Sequence, residues 1–459
     1  MIRKEKYLLT ALLSLVLIPG KAEEKRVNIF DEVVFYDGYQ MENIIDKDLD
    51  DGVLRFSNSV YSKKLDMKAL SDLGENLTME VTIGALCDNY DRIGDVYLAL
   101  VPKGSESYEY DAVKRIEISR FITPFMNMNK EPKEVPYEYE INNISRILRD
   151  KTLGEQYDFW LEMEVFGIPY AANQQIKGCG GRNDVFDGTI DLVYEPDETS
   201  TPSQGNILVP IYVKLPEWKG NLNLNNYNEQ ATDTIGVTTR TFEFTVPENV
   251  NDSRLYLICT DHGAATNGEE YIRRLHLVYL DDEVVLSYTP GGVSCEPYRV
   301  YNTQSNGIYS SRRTESFWQN NSNWCPGQAV PIREINTGAL TAGVHKVMIR
   351  IPDAVFYGKD GDARPSLYFQ GVTTGTMPTG ILEVWQEGPG VEITRDGNSV
   401  RYTSDEEISR VYVHSYDGML RNIVNYPGGR IDISEYGAGA YILTFMTHEG
   451  RTTVKKLII

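Results

Sequence analysis

Basic residues are in deficit along this 459-residue chain: 45 Lys and Arg stand against 66 Asp and Glu, a formal charge of −21. No basic stripe exists to neutralise phosphates, so nucleic acid is not expected as a partner. Histidine is scarce, with five, and no CxxC pair occurs, so no metal or other cofactor is expected. GxSxG, HExxH, P-loop and GxGxxG signatures are all missing, which argues against an activated serine, a zinc-peptidase helix or a nucleotide cradle. Long helical periodicity is hard to find. Apart from YLLTALLSLVLIP near the N-terminus there is no long apolar run, and that one is too short to span a bilayer comfortably.

What is there is a succession of short alternating runs, 30 tyrosines and many Asn-, Asp- and Gly-containing turns. This composition predicts an all-β chain. The apolar run follows the basic MIRKEK and precedes Gly20 and Ala22, so residues 1–22 are expected to be a signal peptide. Export makes disulfides permissible. Five cysteines, Cys87, Cys179, Cys259, Cys295 and Cys325, leave at least one unpaired within the chain. PDETSTPSQGN (196–206) and QEGPGVEITRDGN (386–398) have the character of linkers. They divide the remainder into β-rich parts at 23–195, 205–380 and 390–459. The first two are long enough for sandwiches of about eight strands each. KDGDARPS (359–366) has aspartates spaced loosely like a cation loop, but it lacks the remaining ligands and is expected to be a tight turn.

Three stretches carry candidate chemistry. In CDNYDRIGDVYLALVP (87–102), Val96, Leu98 and Leu100 alternate with Asp91, Ile93, Asp95 and Tyr97, giving one core face and one carboxylate face. In DFWLEMEVF (158–166), Leu161, Met163 and Val165 oppose Trp160, Glu162, Glu164 and Phe166. Rings interleaved with carboxylates suit sugar recognition: a ring packs on a sugar face while a carboxylate accepts from hydroxyls. The bland alternative is a solvated outer face. In GEEYIRRLHLVYL (268–280), a regular strand would align Glu270, Ile272, Arg274 and His276 on one side, with Tyr271 on the other. That alignment could bind an anion or steer a proton, or it could be a surface ion pair of small energetic worth. The preceding Gly-containing loop carries His262.

Taken together, CDNYDR with VYLALV and ISRFITPF, then TDHGAATNGEEYIRRLH, CEPYRVYNTQ and NWCPGQAVPIRE, resemble the peptide:N-glycosidase F family over roughly residues 25–378. The resemblance implies two adjacent eight-stranded antiparallel jelly rolls with a site in the cleft between them. It implies an amidase that cleaves the bond between an N-glycan and asparagine without a metal or cofactor. By that resemblance Asp91 is the principal catalytic carboxylate, with Glu270 and Glu164 contributed by the second and first domains. Tyr90, Arg92, Phe166, His262, Tyr271, Arg274 and His276 fall at substrate-binding positions, and Cys295 pairs with Cys325. Family cysteines are replaced at Gly268 and Ile272, and Thr82 or Ile83 stands near the place of the partner of Cys87. The tail from about 390 resembles type IX secretion sorting domains, which implies a small C-terminal β-sandwich.

The resulting expectation is a monomeric, exported hydrolase, periplasmic, surface-bound or secreted, acting on N-linked glycoproteins or glycopeptides, with no membrane insertion after signal cleavage. With no activated Ser or Cys in view, water is the expected nucleophile. A glycan-binding module, or a glycosidase cutting between sugars, is the alternative.

Overall fold

The structure is a computed structural model and describes residues 24–40, 49–197, 199, 202–213, 222–224, 239–264, 268–304, 307–352, 354, 361–377, 389–415, 420–447 and 452–459. The expected signal peptide lies outside them. The chain is all-β, with three sandwiches in sequence order.

The first holds β1 (Lys25–Tyr36), β2 (Val53–Ser57), β3 (Val60–Lys64), β4 (Thr78–Ala85), β5 (Ile93–Pro102), β6 (Lys114–Ile122), β7 (Glu134–Glu140), β8 (Tyr157–Val165) and β9 (Asp184–Tyr194). Sheet β1-β9-β4-β7 faces sheet β2-β3-β8-β5-β6. Strand β7, EVPYEYE, shows why: Val135, Tyr137 and Tyr139 are buried while the alternate residues are exposed, the period-2 signature of a sheet with one packed face. The short hairpin β2–β3 was not evident in the sequence and brings the count to nine strands among the described residues.

The second holds β10 (Asn206–Tyr212), β11 (Thr239–Val246), β12 (Asp252–His262), β13 (His276–Leu280), β14 (Glu283–Tyr288), β15 (Arg333–Asn336), β16 (Gly343–Arg350) and β17 (Asp362–Val372). Its sheets run β10-β17-β12-β15 and β11-β16-β13-β14. The first of these sheets is buried on both faces. Leu255, Leu257, Leu367 and Phe369 pack inside the second sandwich, whereas Tyr256, Ile258, Tyr368 and Val372 join the core of the first. This double burial explains the unbroken apolar runs RLYLICT and SLYFQGV, and it joins the two sandwiches face to face. Asn143 Nδ2 donates to the Tyr368 hydroxyl across the join at 2.9 Å. Residues 362–366 of the expected turn at KDGDARPS are instead the start of β17, with Ala363 and Pro365 drawn into the sheet by pairing with Asp261 and Cys259.

The third part holds β18 (Val391–Asp396), β19 (Ser399–Ser404), β20 (Ile408–Ser415), β21 (Leu420–Asn425), β22 (Arg430–Asp432), β23 (Ala440–Thr447) and β24 (Thr452–Ile458), in sheets of three and four strands. The expected linker at 386–398 therefore contains β18, held because Val391 is buried in the small core. Tyr412 and Ile442 of this part pack on Leu275, Leu277 and Tyr279 of the second sandwich.

Candidate active site

The loop between β4 and β5 delivers the CDNYDR residues. Its first residue is anchored by a disulfide, Cys87–Cys179, so Cys87 has a partner after all, 92 residues downstream. Asp88 is buried and organises the rest of the loop. Arg92 Nε donates to Asp88 Oδ2 at 2.7 Å, and the backbone N–H groups of Tyr90 and Ile168 donate to the same carboxylate. Burial pushes the Asp88 carboxyl up, and Arg92 acts against that shift. Thr123 accepts from the Arg92 N–H at 2.7 Å and donates to the Tyr90 carbonyl. Tyr90 and Arg92 are thus fixed on either side of Asp91, with the guanidinium 5.3 Å from the Tyr90 ring centre.

The second contribution comes from residues 268–275. The expected strand begins only at His276; Glu270 and Tyr271 lie in a turn. The main chain is diverted because the Asn323 N–H donates to the Glu270 carbonyl at 3.1 Å and its side-chain amide to that of Glu269. The neighbouring Cys325 is tied to Cys295, so the wall formed by Asn323, Trp324 and Cys325 is held in place.

These two loops meet. Asp91, Glu270, Tyr271, Phe125, Trp324 and Pro326 line one pocket. Burial first, and then the Glu270 charge, push the Asp91 carboxyl up to about 7, with Arg92 opposing. The Tyr271 hydroxyl hydrogen-bonds to Glu270, and its ionisation is raised by burial and by that carboxylate. Tyr271, on the pocket, and Tyr90, next to Asp91 in the chain, are both exposed.

Glu164 and Phe166 line a different cavity, of about 230 Å³, between the sandwiches. Asp95, Tyr97, Glu117, Arg120 and Arg364 are among its other walls. Arg120 holds it together: Nε donates to Asp95 and Glu117 at 2.9 Å each, and Nη1 to Thr260 of the second sandwich at 2.9 Å. Phe166 packs edge-on against Tyr39. Gly38 is required there, since a Cβ would come within 2.4 Å of the Phe166 ring. His262 shares Thr260 with Arg120, its Nε2 lying 2.8 Å from Thr260 Oγ1. Burial, together with Arg364 and Arg120, keeps it neutral, well below its ordinary value.

His262, Arg274 and His276 line neither space. Arg274 is occupied by Glu269, its Nε donating to Oε2 at 2.9 Å. His276 is 1 % exposed and faces the interior of the second sandwich beside Asp261. The aligned strand face drawn from the sequence does not form, because the turn at 268–271 breaks the alternation. Sequence reasoning also missed Asp88, Glu117 and Arg120. The signal was present: KRIEISRFI alternates charge with apolar residues, yet eight of its nine residues are buried, so its charges had to be paired internally.

Family comparison matches residues 26–179 to "Peptide-N-glycosidase F, N terminal" and residues 226–368 to "Peptide-N-glycosidase F, C terminal". Among solved structures, PNGF-II in two crystal forms is similar at 19 % identity, with TM-scores of 0.55 and 0.54. The match covers 77 % of this chain and 66 % or 65 % of those chains, a little under two thirds of their length. PNGase F, described as a glycosylasparaginase from Flavobacterium meningosepticum, aligns at 16 % identity and a TM-score of 0.48, covering 78 % of this chain and 98 % of that one. No curated protein matches the chain.

Proposed function

The chain belongs to the peptide-N-glycosidase F family, and on that premise we propose that it hydrolyses the amide between an N-glycan and asparagine. The observation that carries this reading is the pairing of Asp91 and Glu270, from two sandwiches, on one pocket with the Asp91 carboxyl at about 7. A carboxyl near neutrality exists in both protonation forms at working pH, so it can accept a proton in one step and return it in another.

In the proposed reaction water attacks the amide carbonyl, with Asp91 acting at the reacting centre and Glu270 holding or activating a water. Arg92, fixed by Asp88, supplies positive charge to the developing oxyanion. Collapse breaks the C–N bond and releases a glycosylamine, which loses ammonia to water and leaves the free glycan. The peptide keeps Asp in place of Asn. Glu164, beside Phe166 in the cavity between the sandwiches, would orient the first sugar. The exposed rings of Tyr90 and Tyr271 offer faces for sugar packing. The acceptors are N-linked glycoproteins or glycopeptides. Residues 1–22 would direct export, and the chain would act as a monomer outside the cytoplasm. The small C-terminal sandwich would serve as a type IX sorting domain. The two disulfides support export.

The test is mass spectrometry of a defined N-glycopeptide incubated with wild type and with Asp91→Asn. Whole-glycan release by wild type alone supports the proposal. GlcNAc retained on the Asn indicates a glycosidase, and binding without turnover indicates a glycan-binding module.

A further inference from the structure

Behind the Glu270 turn, three potential ligands converge inside the second sandwich. Cys259 and Asp261 sit two residues apart on β12, and His276 opens β13 on the facing sheet. One ligand atom from each lies within 4.8 Å of the other two, and all three residues are buried. Cys259 is a free cysteine.

The imidazole geometry is informative. His276 Nδ1 lies 3.0 Å from the Arg274 carbonyl. A carbonyl only accepts, so Nδ1 carries a proton. In the neutral ring, Nε2 then turns a lone pair toward Asp261 Oδ1, 3.3 Å away. Two lone pairs facing each other away from water call for a positive charge between them. A proton is one solution, but charge-assisted N–H···O bonds are usually about 2.7–2.9 Å. A tetrahedral ion with N and O ligands at about 2.0 Å spaces them by about 3.3 Å. Cys259 Sγ lies 3.9 Å from the same oxygen. Asp261 Oδ2 is buried with no hydrogen-bond partner among the described residues, and buried carboxylates ordinarily have a partner or a metal. The Nδ1–H to carbonyl bond is also the usual outer support of a histidine that ligates through Nε2.

We propose that Cys259, Asp261 and His276 form a structural site for a borderline-soft divalent cation of the zinc class, captured on folding, that braces the catalytic turn. The brace reaches both sides of the Asp91–Glu270 pocket. The Asp261 carbonyl accepts from Trp324 Nε1 at 2.9 Å, and Trp324 lines the pocket. Arg274, whose carbonyl holds the imidazole, grips Glu269 next to Glu270. Segment 263–275 contains no cysteine, so no disulfide can do this work. The ion stands apart from the reacting centre and gives it no Lewis acid.

The competing state is an ion-free imidazolium–carboxylate pair. Burial pulls the His276 ring down, but the Asp261 charge outweighs it and the ring rises to about 10. Metal analysis separates the two. Untagged protein refolded with zinc and dialysed should retain about one ion per chain. Cobalt exchanged into the same protein should give tetrahedral visible bands and a near-ultraviolet thiolate band, the latter lost in Cys259→Ser and both weakened in His276→Gln. Retention below about a tenth of an ion per chain overturns the proposal, as does a cobalt spectrum unchanged by Cys259→Ser. Wild-type metal content together with the wild-type cobalt thiolate band, which only Cys259 can give because the other four cysteines are in disulfides, decides the matter even if the variants do not fold, and both are read without any activity assay.

Discussion

Arg120 Nη1, on the first sandwich, lies 2.9 Å from Thr260 Oγ1, on the second. The same guanidinium neutralises Glu117 and Asp95 in the wall of the inter-sandwich cavity. Removing one member of a buried ion network leaves its partners charged and unpaired, which costs far more than the network contributes. Arg120→Met is therefore expected to destabilise the protein by about 3–5 kcal/mol. Urea unfolding checks this, and a double variant with Glu117→Gln should recover part of the loss.

Asp91 supplies a pH prediction. Its folded-state carboxyl lies at about 7, against about 3.9 in an unfolded chain. The rate should inflect near pH 7. Glu270→Gln removes a like charge, so the Asp91 inflection in the residual activity should move to lower pH. Stability follows with its own sign. Between about pH 4 and 7 the folded state binds more protons than the unfolded, so stability falls as pH rises through that window. Asp91→Asn should then be inactive yet more stable than wild type above pH 7, by about 1–3 kcal/mol once discounted for partial exposure. Denaturant midpoints at pH 5 and pH 8 measure it.

Asp88 acts through Arg92 and is a positioning residue. Asp88→Asn keeps the shape but removes the charge that fixes the guanidinium. The expected result is a kcat lower by about 10–100-fold with KM little changed and native far-ultraviolet circular dichroism. An unchanged kcat would detach Asp88 from the site.

The Cys87–Cys179 bridge closes 92 residues, which on chain entropy is worth about 4–5 kcal/mol. Cys87→Ser and Cys179→Ser should each lose that amount, and the double variant should lose no more than either. Thermal unfolding of the three variants tests the additivity.

Much of this molecule was legible in its sequence wherever one face of a strand met a core and the other met water. EVPYEYE announces its faces because burial alternates with every residue. Legibility failed where tertiary contacts overrode local pattern. DFWLEMEVF alternates apolar and charged residues, yet Glu162 on its polar side is buried too, because Arg115 and Tyr108 pair with it. GEEYIRRLH carries strand-like spacing, but Asn323 captures the Glu269 and Glu270 carbonyls and bends the segment into a turn. Arg274 and His276 consequently face Glu269 and Asp261 rather than the pocket. The pairing of Cys87 with Cys179 was open for the same reason: sequence distance carries no information about which loops meet. The carboxylates on the two sandwiches could be named from motif, but only the packed β12 and β17 faces show how the sandwiches join.

The most direct test of the central claim is hydrolysis of an N-glycopeptide in oxygen-18 water, read by mass spectrometry of the released peptide. Attack of water on the amide carbonyl predicts a peptide with Asp at the glycosylation site carrying a single oxygen-18 atom, and a complete free glycan. A peptide that keeps a GlcNAc on Asn, or an Asp product without the label, would contradict it.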